Sequence, residues 1–202
     1  MIIEGIVTTT AADGSCHAAA MGPHIDEADL DASTGSLRRL TLKPFATSST
    51  FANLARHGEG VFHITDDAVA IASLVLSEPV PLAASPATHV QGFVLNDACL
   101  AHEFRIVESE TARERGRFLA EVVASHVGRP FRGLNRATHA IIEAAILISR
   151  LGLLSRDEIA RQLEPLAVLV EKTGGARDRE AFARLRGRAR AEIGRASCRE
   201  RV

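Results

Sequence analysis

The 202-residue sequence predicts an α+β chain: a small closed or split barrel of about six antiparallel strands, followed by a helical segment. Three observations carry that expectation. Short runs rich in β-branched residues recur through the first two thirds of the chain. Turn formers such as Asp13-Gly14 separate them. After Gly128-Arg129-Pro130 the apolar spacing switches to a helical period.

Residues 2–10 form the first strand, and Asp13-Gly14 supplies a positive-φ pair for a tight hairpin that returns through Ser15 to Met21. The return strand is almost all small, Cys16-His17-Ala18-Ala19-Ala20, and breaks at Gly22-Pro23. The acidic stretch 26–35 has no periodicity and reads as a loop, whereas residues 36–43 alternate apolar and polar as a strand does. A hydroxyl cluster, Thr47-Ser48-Ser49-Thr50, then leads into a short helix that Gly58 stops. Residues 60–65 give another strand, Asp66-Asp67 cap an apolar helix over residues 68–76, and Pro79, Pro81 and Pro86 mark a linker-like crossing. Two longer strands follow over residues 99–109 and 116–126. In the helical part, residues 134–151 place Ile141, Ile142, Ala145, Ile146 and Ile148 on one broad face. Ser155-Arg156-Asp157-Glu158 is a capping box, with Ser155 capping an amide and Glu158 reaching back. Pro165 kinks or divides that second helix, Gly174-Gly175 ends it, and an amphipathic Arg-rich segment fills residues 177–190.

Composition narrows the function classes. The chain is 46% hydrophobic and 24% charged, which is ordinary for a globular protein. A net charge of −1, eight Phe and neither Trp nor Tyr leave no field and little stacking surface for nucleic acid, so no nucleic-acid partner is expected. No apolar run has the length of a membrane span and the first residues lack the pattern of a signal peptide; the expectation is a cytoplasmic protein with no membrane association. Cys16, Cys99 and Cys198 lack the spacing of a disulfide framework or a zinc ribbon, so no metal is expected. Residues 192–202 read as a translated sequencing adapter and are set aside with Cys198. The expected organisation is a barrel domain over residues 1–128, a helical domain over 129–190 and the foreign run over 192–202.

The strongest chemical signal is the run from Lys43 to Asn53. A helix N-terminus has unpaired amides and the positive end of the dipole, and four hydroxyls with a preceding Lys converge there, with Asn53 one turn on. That chemistry suits a phosphate, and the same residues also suit an ordinary N-cap with a solvated lysine. At Ala18-Ala19-Ala20-Met21-Gly22-Pro23 the small side chains let a flat ring lie against the backbone, or equally serve tight strand packing. His17 and His24 flank that segment. His139 and Glu143, one helical turn apart and beside Arg136, fit a buried or interfacial salt bridge better than a metal or proton relay. Lys172-Thr173-Gly174-Gly175 has the wrong order for a phosphate loop and reads as a helix end.

Together these pieces resemble the DUF447 family within the flavin-reductase-like, FMN-binding split-barrel superfamily. The resemblance rests on IIEGIVTT, AAMGPH, LKPFATSSTFANL, GVFHITDD, FRGLNRATHAIIEAAILISR and EKTGG, and extends from Met1 to about Arg190. It implies an FMN phosphate held by Ser48, Thr50 and Asn53, with Lys43, Thr47 and Ser49 as second choices. It also implies that the backbone from Ala20 through Met21 to Gly22 faces the flavin ring, and that a homodimer completes each site. Phe51 stands where members often carry Tyr. The resulting expectation is an FMN-binding flavoprotein with redox activity on a small-molecule substrate or electron donor, and with its helical segment packed on the barrel or on the partner subunit. The alternatives are a non-catalytic carrier of a flavin or deazaflavin, and a structural dimer without cofactor.

Overall fold

Strands β1 (Gly5–Thr10) and β2 (Cys16–Met21) form the expected antiparallel hairpin, with Thr10 opposite Cys16 and Gly5 opposite Met21. Of the expected turn pair only Gly14 takes a positive φ, at 84°. The Asp13 carboxylate instead accepts from the amide and hydroxyl of Ser15, an Asx-type closure that spares Asp13 the left-handed conformation. In this computed structural model residues 1–31 and 33–197 are described, apart from the side chains of Arg156 and residues 192–197. Residues 198–202 of the run expected to be foreign sequence, including Cys198, therefore lie outside the described residues.

The stretch read as a loop contains one 3-10 turn, Glu27–Asp29, capped by Asp26. Strand β3 (Arg39–Leu42) follows, then helix α1 (Ser49–His57), β4 (Glu59–Ile64), helix α2 (Ala68–Val75), the short strands β5 (Ala84–Pro86) and β6 (Phe93–Leu95), and the long β7 (Leu100–Glu110) and β8 (Arg117–Val127). The six longer strands form one antiparallel sheet in the order β2-β1-β4-β7-β8-β3. Its two edges meet through His24, whose amide donates to Thr41 O at 2.9 Å while Thr41 N donates back at 2.8 Å. A second bridge joins His24 to Ile2. The sheet thereby closes around Val7, Leu40, Leu42, Phe62, Phe104 and Phe118, all buried. Each such side chain contributes about 1.5–3 kcal/mol by leaving water.

The crossing with three prolines is the part of the barrel that sequence periodicity described least well. It is a two-stranded arm, β5 with β6, laid over the outer face of β1, β4 and β7. Barrel side chains hold its backbone. Thr8 and Thr10 donate to the carbonyls of Phe93 and Gln91, Glu59 accepts from Gln91 N, and His63 Nε2 accepts from Leu95 N.

The chain divides into two compact units: Met1–Thr65 with Pro81–Phe131, and Asp66–Val80 with Arg132–Val202. Helix α2, expected inside the barrel domain, thus belongs with the helical unit. That unit contains α3 (Arg136–Ser149), α4 (Arg156–Thr173) and α5 (Ala176–Ser197). Ala140, Ile141, Ala144 and Ile148 of α3 pack with Leu163 of α4 and Leu185 of α5. Asn135 and Ser155 cap α3 and α4. The Glu158 carboxylate is engaged by Gln162 and Arg161 on its own helix. Pro165 lies within α4 without dividing it, and Gly174 is the C-cap, where a Cβ would lie 2.6 Å from Val170 O. Of the buried or interfacial salt bridge expected at His139, Glu143 and Arg136, the buried form is absent, since all three residues are exposed.

Candidate functional site: the turn into helix α1

Ser48 is the N-cap of α1: its hydroxyl accepts from Phe51 N at 3.2 Å and donates to Phe45 O at 2.7 Å. The amides of Ser49 and Thr50, in the first turn, have no intrahelical acceptor and point out of the helix at its positive end. Beside them Lys43, Thr47 and Ser49 are exposed. Gly58 ends the helix in the left-handed conformation, at φ 66°, as its position in the sequence predicts.

The two remaining expected ligands face inward. Thr50 and Asn53 are 2% and 5% exposed. The Asn53 amide donates to Thr9 Oγ1 at 3.0 Å, and its carbonyl oxygen accepts from Arg56, which also donates to Thr10 O. Thr50 Oγ1 lies 3.2 Å from His17 Nε2 on β2. Burial pushes the His17 imidazole below its ordinary range, which favours the neutral ring in that contact. Among the six candidates in this run, Lys43, Thr47 and Ser49 thus present free surface, while Ser48, Thr50 and Asn53 have partners within the chain that fix the turn.

Sequence reading missed the other half of this turn. The connection between β7 and β8 lies against it: Ala46 N donates to Glu114 O at 2.9 Å and Gly116 N to Pro44 O at 3.0 Å. Arg115 stacks its guanidinium 3.7 Å from the centre of the Phe45 ring and donates to Lys43 O. Arg115 is exposed, so a second cation joins Lys43 at the helix start. Gly116 is required by packing: a Cβ there would come 2.5 Å from the Phe51 ring, which meets Phe118 edge-on at 5.4 Å. The signal was one arginine in a charged turn, and only strand register brings it across 72 positions of sequence.

The small-residue segment runs alongside. It is fastened to the turn at one end by His17 and Thr50, and at the other by His24 and Thr41, two positions before Lys43. Burial, then the charges of Lys43 and the N-terminus, hold the His24 imidazole below its ordinary range. An open hollow of about 450 Å³ adjoins that end, lined by Met1, His24, Ile25, Asp26, Glu27 and Thr41. Ala20 is half-buried, and Met21 packs against the barrel core. The side of Gly22 where a Cβ would stand is filled by Ile2 and Glu4, at 2.6 and 2.8 Å, so the missing side chain makes room for the chain's own residues.

A six-stranded antiparallel sheet in this order, closed through a bridge and carrying a short helix after the third strand, defines a class: the split β-barrel of the flavin-reductase type, here with a C-terminal helical segment. The chain belongs to the DUF447 family. The model described as "Protein of unknown function (DUF447) N-terminal domain" matches residues 3–129, and that described as "Protein of unknown function (DUF447)" matches residues 135–187. Among solved structures the chain is similar to the FMN-bound DUF447 protein MM1853 from Methanosarcina mazei, with a TM-score of 0.75 at 16% identity over 93% of this chain and 94% of that one. It is similar over the barrel to the styrene monooxygenase flavin reductase of Pseudomonas putida S12 (TM-score 0.51, 12% identity, 64% of this chain and 82% of that one). Flavoredoxin of Desulfovibrio vulgaris (Miyazaki F) gives a TM-score of 0.50 at 13% identity, covering 63% of this chain and 70% of that one. Among curated proteins none matches the chain. No helix among the described residues is long and apolar enough to cross a membrane.

Proposed function

We propose that this chain is an FMN-binding flavoprotein, with the phosphate seated on the turn into α1. The observation that carries the reading is the exposed set of Lys43, Thr47 and Ser49 beside two unpaired helix amides, on a turn that Ser48, Thr50 and Asn53 hold from within. An anion there meets hydroxyl donors, oriented amides and the charges of Lys43 and Arg115. The FMN-bound relative of the same family supports that choice of ligand. The ring is assigned to the segment Ala20–Gly22, which the His17 and His24 contacts keep beside the turn. A second copy of the chain completes the site across the half-exposed residues of β2.

When bound, FMN supplies electron-transfer chemistry that the chain lacks, and the residues here bind and orient. Redox activity on a small molecule is the finer part of the proposal, supported by the flavin-reductase relatives of the barrel. The test is binding of FMN to purified chain, followed by flavin absorbance and fluorescence. FMN binding that weakens at least about tenfold in a Thr47→Ala, Ser49→Ala double variant supports the reading, as loss of charge-assisted hydrogen bonds requires. Equal affinity in that variant removes the phosphate assignment. Bleaching of the bound flavin by NAD(P)H distinguishes an oxidoreductase from a carrier.

A further inference from the structure

Away from that turn, on the outer face of the barrel, two imidazoles gather around one buried carboxylate. Glu103 of β7 has no exposed side-chain surface, while the side chains of His89, in the arm, and His126, on β8, are 57% and 34% exposed. His126 Nε2 lies 2.6 Å from Glu103 Oε1 and His89 Nδ1 lies 3.8 Å from the same oxygen. All three ligand atoms fall within 4.8 Å of one another.

We infer that His89, Glu103 and His126 form a binding site for a divalent transition-metal ion of the Zn²⁺ class. Two imidazole nitrogens and a carboxylate oxygen are a ligand set suited to such ions. Metal bonds of about 2.0–2.2 Å place tetrahedral ligand atoms roughly 3.3–3.5 Å apart, so separations that all lie within 4.8 Å need shifts of at most about 1.5 Å. Those shifts fall on side chains, because the backbone is already fixed. The amides of Thr88, His89 and Val90 donate to the Glu103 carboxylate at 3.0, 2.6 and 2.9 Å, and Arg105 donates to the His89 carbonyl at 2.5 Å. The Thr88 hydroxyl also donates to Glu103 Oε1 at 3.0 Å, so the carboxylate is oriented by the arm from one side and by His126 from the other. An ion entering between the rings replaces the proton that His126 Nε2 shares with Glu103 Oε1, so binding competes with protonation. With three ligands from the chain and both histidines open to solvent, a fourth position remains for water.

The site shares no residue with the turn into α1, so its test stands apart from the flavin reading. Chain treated with EDTA and then dialysed is titrated with Zn²⁺ by calorimetry, and separately with Co²⁺ in the visible range. The expected result is one equivalent bound, with d–d bands and no thiolate charge-transfer band, and at least about tenfold weaker binding in His89→Ala and in His126→Gln. His89 is largely exposed, so His89→Ala decides the matter even where His126→Gln disturbs folding. Absence of binding, a thiolate band from Cys16 or Cys99, or unchanged affinity in folded His89→Ala overturns the inference.

Discussion

Asn53 and Thr9 tie helix α1 to strand β1: both side chains are buried, and the Asn53 amide donates to the Thr9 hydroxyl at 3.0 Å. The same Asn53 receives Arg56, so one side chain links the helix, the strand and the end of the hairpin. The turn that offers its hydroxyls outward is therefore positioned by residues facing the other way.

Replacing Asn53 by Ala leaves the Thr9 hydroxyl without its donor in a dry site, at a cost of about 1–3 kcal/mol. The urea midpoint of Asn53→Ala is expected to fall accordingly. An unchanged midpoint shows that the bond does not hold the helix.

Ser48 and Ser49 are neighbours with different expected effects. Ser48→Ala removes the N-cap and lowers stability by about 1 kcal/mol. Ser49→Ala, at an exposed position, stays within about 0.5 kcal/mol of the parent. Denaturation of the two variants side by side checks the distinction.

Acid should weaken the barrel through its buried imidazoles before the Glu103 carboxylate is protonated. His63 is fully buried, its Nε2 accepts from Leu95 N at 3.0 Å and its Nδ1 lies 3.1 Å from Ile6 O, which places the proton on Nδ1. Burial, with a smaller contribution from His102, pushes the imidazole down to about 4 from 6.5. The fold favours the neutral ring, so this contribution is complete above pH 6.5 and is lost as pH falls towards 4, up to about 3 kcal/mol. His102, also lowered to about 4 by burial and by His126, acts in the same window. Glu103, depressed from 4.5 to about 2, keeps its contribution above 4.5 and loses it only in stronger acid. Urea midpoints between pH 7 and pH 4 are expected to fall steadily, and a flat profile contradicts the assignment.

Gly5 and Gly58 test two different demands on glycine. A Cβ on Gly5 would stand 2.3 Å from His63 O and 2.7 Å from the Phe62 ring, so Gly5→Ala costs about 1–3 kcal/mol or more by overpacking. At Gly58 the nearest atom would be Ile106 Cβ at 3.9 Å, and the cost comes from φ +66° alone, about 1–2 kcal/mol. Thermal unfolding of both variants measures the two effects.

Local chemistry made the barrel strands and the helix starts legible. Alternation in residues 36–43, the cap at Ser48 and the long apolar face of α3 are written within a few positions of where they act. Three things were not local. Helix α2 is nearly uniformly apolar, so its sequence does not say which unit receives it, and it packs with α3 and α5. Arg115 reaches the turn through strand register, and the inward-facing roles of Thr50 and Asn53 follow from which way α1 is rotated against β1 and β2. A list of hydroxyls in sequence carries no such orientation.

The arm over the outer face is specified largely by residues outside it. Thr8, Thr10, Glu59, His63, Glu103 and Arg105 all reach up to its peptide groups, so its path depends on donors and acceptors that every non-proline residue carries. Relatives can therefore diverge in the exposed arm side chains other than His89 while keeping the same course, provided that positions 90 and 95 stay apolar and prolines stay off the amides of residues 88–91 and 95. Mutational scans of the arm should show tolerance at its exposed positions, and further sensitive positions controlling it should surface in the underlying strands.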